Sequence, residues 1–129
     1  MKIKYSTSIP NIYYKCREKF GIDWHKEVII TYGDTVYCKF NISDDLKVHE
    51  ETHVRQQNEM GKELWWEKYF DNKKFRLSQE VEAYRNQMEY IRNNYSKTLI
   101  KNLKKKIIQD MCTIYDGMCT FKQARKLLR

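Results

Sequence analysis

The chain has 129 residues, of which 41% are hydrophobic and 33% are charged, and its formal net charge is +8. This length and composition are typical of one globular domain, and they exclude a disordered chain or two separate domains. No apolar run approaches the roughly 18 residues of a membrane span, and residues 1–5 lack the apolar core of a secretory signal. We therefore expect a soluble protein of the cytoplasm or of a larger particle.

The four cysteines are scattered along the chain, at positions 16, 38, 112 and 119. None of them forms a Cys-x-x-Cys pair, so neither a zinc knuckle nor a redox pair is indicated. We expect reduced thiols, most of them buried, and a Cys112–Cys119 disulfide is the alternative.

Positive charge is concentrated in the last quarter of the chain. Residues 97–129 contain nine Lys or Arg and two Asp, so this segment carries nearly all of the net excess. Such a surface favours a polyanion or an acidic protein as a partner. The alternative is a solvated helix face without such a role.

The first 42 residues predict a helix followed by a β-hairpin. Pro10 and Gly21 bracket a helix over residues 11–20. Two runs of β-branched and aromatic residues, 28–32 and 35–40, are joined by Gly33-Asp34, which predicts the hairpin. A third short strand is predicted near residues 2–6.

Residues 43–95 predict three helices. Ser43 and the two aspartates after it begin a helix that runs from residue 45 to 60 and ends at Gly61. A short aromatic-rich helix is expected at 62–69, followed by a turn at 71–74. Ser78 should cap the next helix, which runs to about residue 95. Its apolar residues recur at three- and four-residue steps and predict a stripe facing the core, formed by Leu77, Val81, Tyr84, Met88, Ile91 and Tyr95.

The remaining residues, 96–129, predict two basic helices. Ser96 should cap a helix over 97–111, Asp116-Gly117 should end it, and Thr120 should cap a last helix over 121–128. The apolar side chains of the first of these helices are expected to face inward and its lysines outward; the inward set is Leu99, Ile100, Leu103, Ile107, Ile108 and Met111. We expect one α+β domain over residues 1–129, with the helix and hairpin in 1–42, the helices that carry the motif below in 43–95 and the basic helices in 96–129.

The strongest chemical signal is the His-Glu-x-x-His sequence at residues 49–53. Side chains four apart lie on one helix face, so His49 and His53 can hold one metal ion together. Glu50 would lie beside them, where it can act as a general base on a water at that metal. The helix is poor in apolar residues, and an inward-facing metal site would give it a buried face. The alternative is a solvated, charged helix that carries the motif by coincidence.

A catalytic site of this type needs a third protein ligand, and three glutamates come into question. Glu59 would require a helix break at the position of Gln56, and in a continuous helix it points about 240° away from His53. In the next long helix, Glu80 lies on the rim of the apolar stripe, whereas Glu82 falls on the solvent side. We predict Glu80 as the ligand; the alternative is a first-turn glutamate that is favoured by the helix dipole.

His49-Glu50-x-x-His53 followed by Glu80-x-x-Ala83 resembles the gluzincin-type zinc metallopeptidases. The stretch 49–57 is similar to small phage and injection-system zincin domains, and the resemblance covers about residues 35–95. It implies a minimal zincin-like α+β fold, in which a small antiparallel sheet or hairpin packs on the motif helix with three or four further helices. It also implies that a sheet edge, here residues 35–40, lies beside that helix, where a peptide could add as a strand.

The resemblance further implies Zn²⁺ held by His49, His53 and Glu80, with Glu50 as the catalytic base. Tyr84 stands where some relatives carry an Asp that orients a ligand histidine, so that partner is absent here or comes from elsewhere. The substrate carbonyl oxygen becomes negatively charged during hydrolysis, and Tyr84 and Tyr32 are the candidate hydrogen-bond donors to it.

The expected function is therefore a zinc metallopeptidase of phage type that acts on a peptide or protein, located in the cytoplasm or the virion. Two alternatives stay open. One is a structural or interaction protein, such as a virion component, with a structural or vestigial zinc on the same scaffold. The other is a nucleic-acid-associated module that uses the basic residues 97–129.

Overall fold

The part of the chain that this computed structural model describes, residues 2–24, 28–114 and 117–129, folds into a small sheet and six helices. The strands are β1 (Lys4–Ser6), β2 (Ile29–Tyr32) and β3 (Thr35–Cys38). The helices are α1 (Ile12–Phe20), α2 (Asp44–Met60), α3 (Lys62–Asp71), α4 (Lys73–Asn94), α5 (Lys97–Thr113) and α6 (Phe121–Leu127). The predicted α+β class is confirmed.

The sheet has the order β1-β3-β2. β2 and β3 form the predicted antiparallel hairpin, and Gly33 adopts φ +64° in its tight turn, a conformation that glycine tolerates best. β1 pairs in parallel with the other side of β3. Two expectations were therefore wrong: the sheet is mixed rather than antiparallel, and residues 35–40 contain its central strand rather than an edge. β3 is bonded on both sides, so a peptide cannot add to it.

α4 begins earlier than predicted, at Lys73 rather than after Ser78. The Asn72 side chain accepts a hydrogen bond from the Phe75 backbone N–H at 3.0 Å and so caps the helix. Ser78 instead donates to the Phe75 carbonyl oxygen at 2.7 Å. Because one residue, Asn72, separates α3 from α4, the turn predicted over 71–74 is shorter than expected.

The basic helices begin at the predicted caps. Ser96 accepts from the Leu99 backbone N–H, and Thr120 forms a reciprocal capping box with Gln123. Leu99 was wrongly predicted to face inward, since its side chain is 40% exposed. It lies about 100° around α5 from Ile100, outside the stripe that packs on α4. The backbone of Gly117 has the left-handed conformation (φ +69°) that suits a helix break. Asp116 lies outside the described residues.

In the described part of the chain, apolar side chains gather in three clusters. The predicted α4 stripe packs against α5 and α6, with Met88, Ile91 and Met111 fully buried. An aromatic cluster joins α1, β2 and α3, and a smaller one lies between the sheet and α2. α2 and α4 pack along each other, so a polar face of α2 is enclosed between β2, α3 and α4.

All four thiols are unpaired, so the predicted reduced state matches the structure and the alternative disulfide is not formed. Cys16 and Cys38 are buried, and burial raises the pKa of Cys16 to about 12. Cys112 and Cys119 are half-buried. None of the helices in the described ranges combines the length and the apolar character needed to cross a lipid bilayer.

Candidate metal centre

Two histidines of α2 and one glutamate of α4 meet at a single point. His49 and His53 are one helical turn apart on the enclosed face of α2, and Glu80 reaches them from α4. The distance from Glu80 Oε1 is 3.1 Å to His49 Nε2 and 3.2 Å to His53 Nε2, and the two Nε2 atoms are 3.1 Å apart. All three side chains are buried. The structure thus brings together the three residues predicted as ligands.

The spacing of these three atoms fits a metal site. Atoms bonded to a tetrahedral zinc at about 2.0–2.1 Å lie about 3.3 Å from one another, and the triangle has nearly this edge. Two imidazoles and a carboxylate suit zinc, and they also suit other divalent transition metals. The group could therefore hold a divalent metal ion of this class.

A glutamine fixes the orientation of each histidine ring, beginning with His49. Gln87 Nε2 donates to Asp45 Oδ2 at 2.8 Å, which turns Gln87 Oε1 toward His49 Nδ1 at 3.0 Å. Because that oxygen only accepts, His49 Nδ1 carries the hydrogen, and in the neutral ring Nε2 is left as a lone pair facing the triangle. Tyr95 donates to the other oxygen of Asp45. These hydrogen bonds, from Tyr95 through Asp45 and Gln87, orient the His49 ring. They do so without an Asp at the position of Tyr84.

His53 has a matching partner. Gln56 Nε2 donates to Glu82 Oε1 at 2.8 Å, and Gln56 Oε1 lies 2.9 Å from His53 Nδ1. Glu82 is also bonded by Arg55. Burial opposes ionisation of Glu82, but the hydrogen bonds from Gln56 and Arg55 outweigh it and hold its pKa below the usual range. Glu82 is half-exposed, on the solvent side as predicted, yet it anchors the residue that orients His53.

The third ligand candidate is oriented by a tyrosine. Tyr69 of α3 donates to Glu80 Oε2 at 2.6 Å, which leaves Oε1 to face the histidines. Burial would raise the pKa of Glu80, but the two histidines hold it well below its usual range. Burial likewise disfavours charged His53, and attraction to Glu80 outweighs this and raises its pKa to about 9. Three buried acceptors at this spacing therefore attract positive charge, whether a proton or a metal ion.

Glu50 lies beside the triangle without belonging to it. Its Oε2 is 3.8 Å from His49 Nε2, and its Oε1 accepts a hydrogen bond from the Thr31 hydroxyl at 3.0 Å. β2 is itself held on α2 by Gln57, which accepts from the Gly33 N–H and donates to the Thr31 carbonyl, both at 2.7 Å. The strand thus positions the Glu50 carboxylate next to the candidate ligands.

The other residues considered for the site, Tyr84, Tyr32 and Glu59, differ in whether they reach the candidate ligands. Tyr84 lines the cavity described below, and its ring meets that of His49 edge-on at 4.4 Å. Tyr32 contacts the Lys62 ammonium instead and is not part of the cavity lining, so the structure does not bring it to the candidate ligands. Glu59 is exposed and pairs with Arg55, in agreement with its rejection as a ligand.

A cavity of about 280 Å³ opens onto the site. Its lining includes all four of His49, Glu50, His53 and Glu80, so a molecule in the cavity would contact the candidate ligands and Glu50 together. Most of the remaining lining is apolar or aromatic, and it includes side chains of β2, α3 and α5. Such a concave, mostly apolar space with a few convergent polar groups is the usual form of a small-ligand or substrate site.

Gln56, Gln87 and Tyr69 were not predicted as site residues. Gln87 lies seven positions after Glu80, and therefore on the same face of α4, which is the signal that could have identified it. The pairing of Tyr69 with Glu80 depends on how α3 packs against α4 and has no counterpart in sequence spacing.

Comparison of the chain with protein-family models, with curated proteins and with solved structures finds no match.

Proposed function

We propose that this chain is a zinc-dependent metallopeptidase on a minimal zincin-like scaffold. One observation carries the proposal: three buried ligand atoms converge within 3.2 Å of one another on the wall of an open cavity, with the Glu50 carboxylate 3.8 Å away. A coincidental His-Glu-x-x-His on a solvated helix would not supply a third ligand, oriented rings and a cavity at the same place.

The ligand set favours a catalytic over a structural metal. Structural zinc sites have four protein ligands and are closed, whereas catalytic sites have three and leave one position for water or substrate. In the ranges 2–24, 28–114 and 117–129, the group that could hold an ion has three members, His49, His53 and Glu80. The cavity gives a substrate access to the fourth position.

The roles of the side chains follow from their places. A zinc ion held by this group would supply a water that deprotonates near neutral pH. Glu50 would accept the proton of the attacking water and return it to the leaving amine nitrogen, while the Thr31 hydroxyl holds its carboxylate in place. Tyr84, at the cavity wall, is our candidate donor to the carbonyl oxygen as negative charge develops there.

The proposal is tested by incubating the zinc-loaded protein with a peptide library and identifying cleavage sites by mass spectrometry. We expect cleavage by the wild type and by Glu59→Gln, which alters an exposed glutamate of the same helix. Glu50→Gln should keep its zinc and lose cleavage. Cleavage by Glu50→Gln at the wild-type rate would contradict the role of the base, and a zinc-loaded wild type that cleaves nothing would contradict the proposal.

The basic helices favour a second property, binding of a polyanion. Lys97, Lys101 and Lys105 are exposed at four-residue spacing on α5, and α6 adds further exposed basic side chains. If the partner is DNA, retention of the protein on DNA should fall steeply with salt concentration. Replacing these three lysines by Gln should reduce the slope of log binding constant against log salt concentration by about three. An unchanged slope would refute DNA binding by this face.

A structural role in a virus particle is the remaining alternative, and the burial of all three candidate ligands is compatible with it. In that case zinc would raise the melting temperature, while zinc-loaded wild type and Glu50→Gln would be equally inactive.

A further inference from the structure

The basic C-terminal helix α5 takes part in the cavity at the candidate metal centre. Leu103, Ile107 and the adjacent Ile114 line the same cavity as His49 and Glu50. α5 lies outside the region of residues 35–95 that carries the His-Glu-x-x-His and Glu-x-x-Ala motifs. Its apolar residues are therefore shared between two surfaces, the core cluster on α4 and the cavity wall.

The rest of this wall is also apolar. Val28 and Ile29 contribute from the sheet side, Phe40 contributes from the segment that leads into α2, and Leu46 contributes from the first turn of α2. An apolar side chain that enters such a space gains the free energy of leaving water, whereas a charged one loses hydration without a partner.

The charged residues of the lining away from Glu50 and Glu80 do not change this preference. Lys106 and Asp110 pair with each other at 3.3 Å, so their charges offset one another. Asp45 is bonded by Gln87 and Tyr95. The Lys106–Asp110 pair therefore adds no net charge to the α5 wall, and both oxygens of Asp45 are already engaged by hydrogen-bond donors of the protein.

We propose that the α5 wall binds a bulky aliphatic or aromatic side chain of the substrate next to the peptide bond that is cleaved. The inference rests on the proposed peptidase function and adds the substrate class to it. The physical reason is proximity: because Glu50 and the candidate ligands line the same cavity, a side chain held against Leu103 and Ile107 places its own backbone near them. The volume of about 280 Å³ accommodates the largest natural side chains.

The test uses two hydroxamates that differ only in bulk, acetohydroxamate and 3-phenylpropanohydroxamate, because the hydroxamate group binds zinc without any need for turnover. Their dissociation constants for the zinc-loaded protein are measured by calorimetry. We expect the phenyl compound to bind about 10- to 100-fold tighter, as the burial of an aromatic side chain predicts.

Leu103→Gln is the diagnostic variant, because Leu103 is half-buried and its replacement is compatible with folding. It should remove most of the preference for the phenyl compound and leave the affinity for acetohydroxamate unchanged. Leu99→Gln is the matched control on the same helix: Leu99 is exposed and does not line the cavity, so the preference should persist. Melting temperatures of both variants verify that they are folded.

The outcomes separate the two claims. Failure of acetohydroxamate to bind the zinc-loaded wild type would overturn the proposed function, and this inference with it. Binding of acetohydroxamate without a gain from the phenyl group, or an undiminished gain in Leu103→Gln, would overturn the α5 pocket alone and leave the metal site standing.

Discussion

Replacing Gln87 by leucine tests whether the metal centre depends on the residues that orient its histidines. Gln87 is buried, and its amide links His49 Nδ1 at 3.0 Å to Asp45 at 2.8 Å. Leucine has a similar volume but can make neither bond. Loss of a partner that orients a ligand histidine weakens metal affinity by about 10- to 100-fold, which is about 1.4–2.7 kcal/mol.

The same change should destabilise the metal-free protein. The variant leaves His49 Nδ1 and one oxygen of Asp45 buried without that partner, which costs about 1–3 kcal/mol. Gln56→Leu makes the equivalent change at His53, but Glu82 is half-exposed and keeps its bonds to Arg55. We therefore expect a similar loss of zinc affinity in the two variants and a smaller loss of stability in Gln56→Leu.

Zinc affinity is measured by competition with a chromophoric chelator at pH 7.5, and stability is measured by denaturant unfolding in EDTA. Asn93→Leu, at an exposed position of the same helix, serves as the control and should keep the wild-type affinity. The reasoning is refuted if Gln87→Leu is folded and binds zinc within about twofold of wild type. Gln87 would then only support the fold and would not orient a ligand.

Glu50→Gln should bind zinc within about threefold of wild type in the chelator assay and lose at least about 100-fold in the rate of peptide cleavage. Thr31→Val removes the hydroxyl that bonds Glu50 and should lower kcat about tenfold with zinc affinity unchanged, whereas Thr35→Val, a control in the neighbouring strand, should not. Without metal, the raised pKa of His53 stabilises the fold fully below pH about 6.5, and this contribution is lost as the pH rises through about 9. The melting temperature in EDTA should therefore fall between pH 6.5 and 9.5, and a flat profile would contradict the attraction between His53 and Glu80.

The residues at the centre of the site could be predicted because their relation is local. His49, Glu50 and His53 are fixed relative to one another by the geometry of a single helix. Glu80 could be selected over Glu82 because the apolar stripe of α4 shows which side of that helix faces the core. Most helix and hairpin positions were predictable for the same reason, since caps and turn residues act over a few positions; the exception is the start of α4, which Asn72 rather than Ser78 caps.

What could not be predicted depends on contacts between elements that are far apart in sequence. The parallel pairing of β1 with β3 joins segments separated by about thirty residues, and no local pattern specifies it. The links from Gln87 to Asp45 and from Tyr69 to Glu80 exist because α3 and α4 pack where they do. Periodicity shows which face of a helix is buried, but it does not show which side chain it meets.

The most direct test of the metal centre is the metal content of the purified, zinc-supplied protein by native mass spectrometry. We expect one zinc per chain in the wild type and in Glu59→Gln, and lost or much weakened binding in His53→Ala and Glu80→Gln. A folded wild type that carries no metal, or a His53→Ala variant that retains zinc as well as the wild type does, would contradict the assignment of His49, His53 and Glu80 as a metal site.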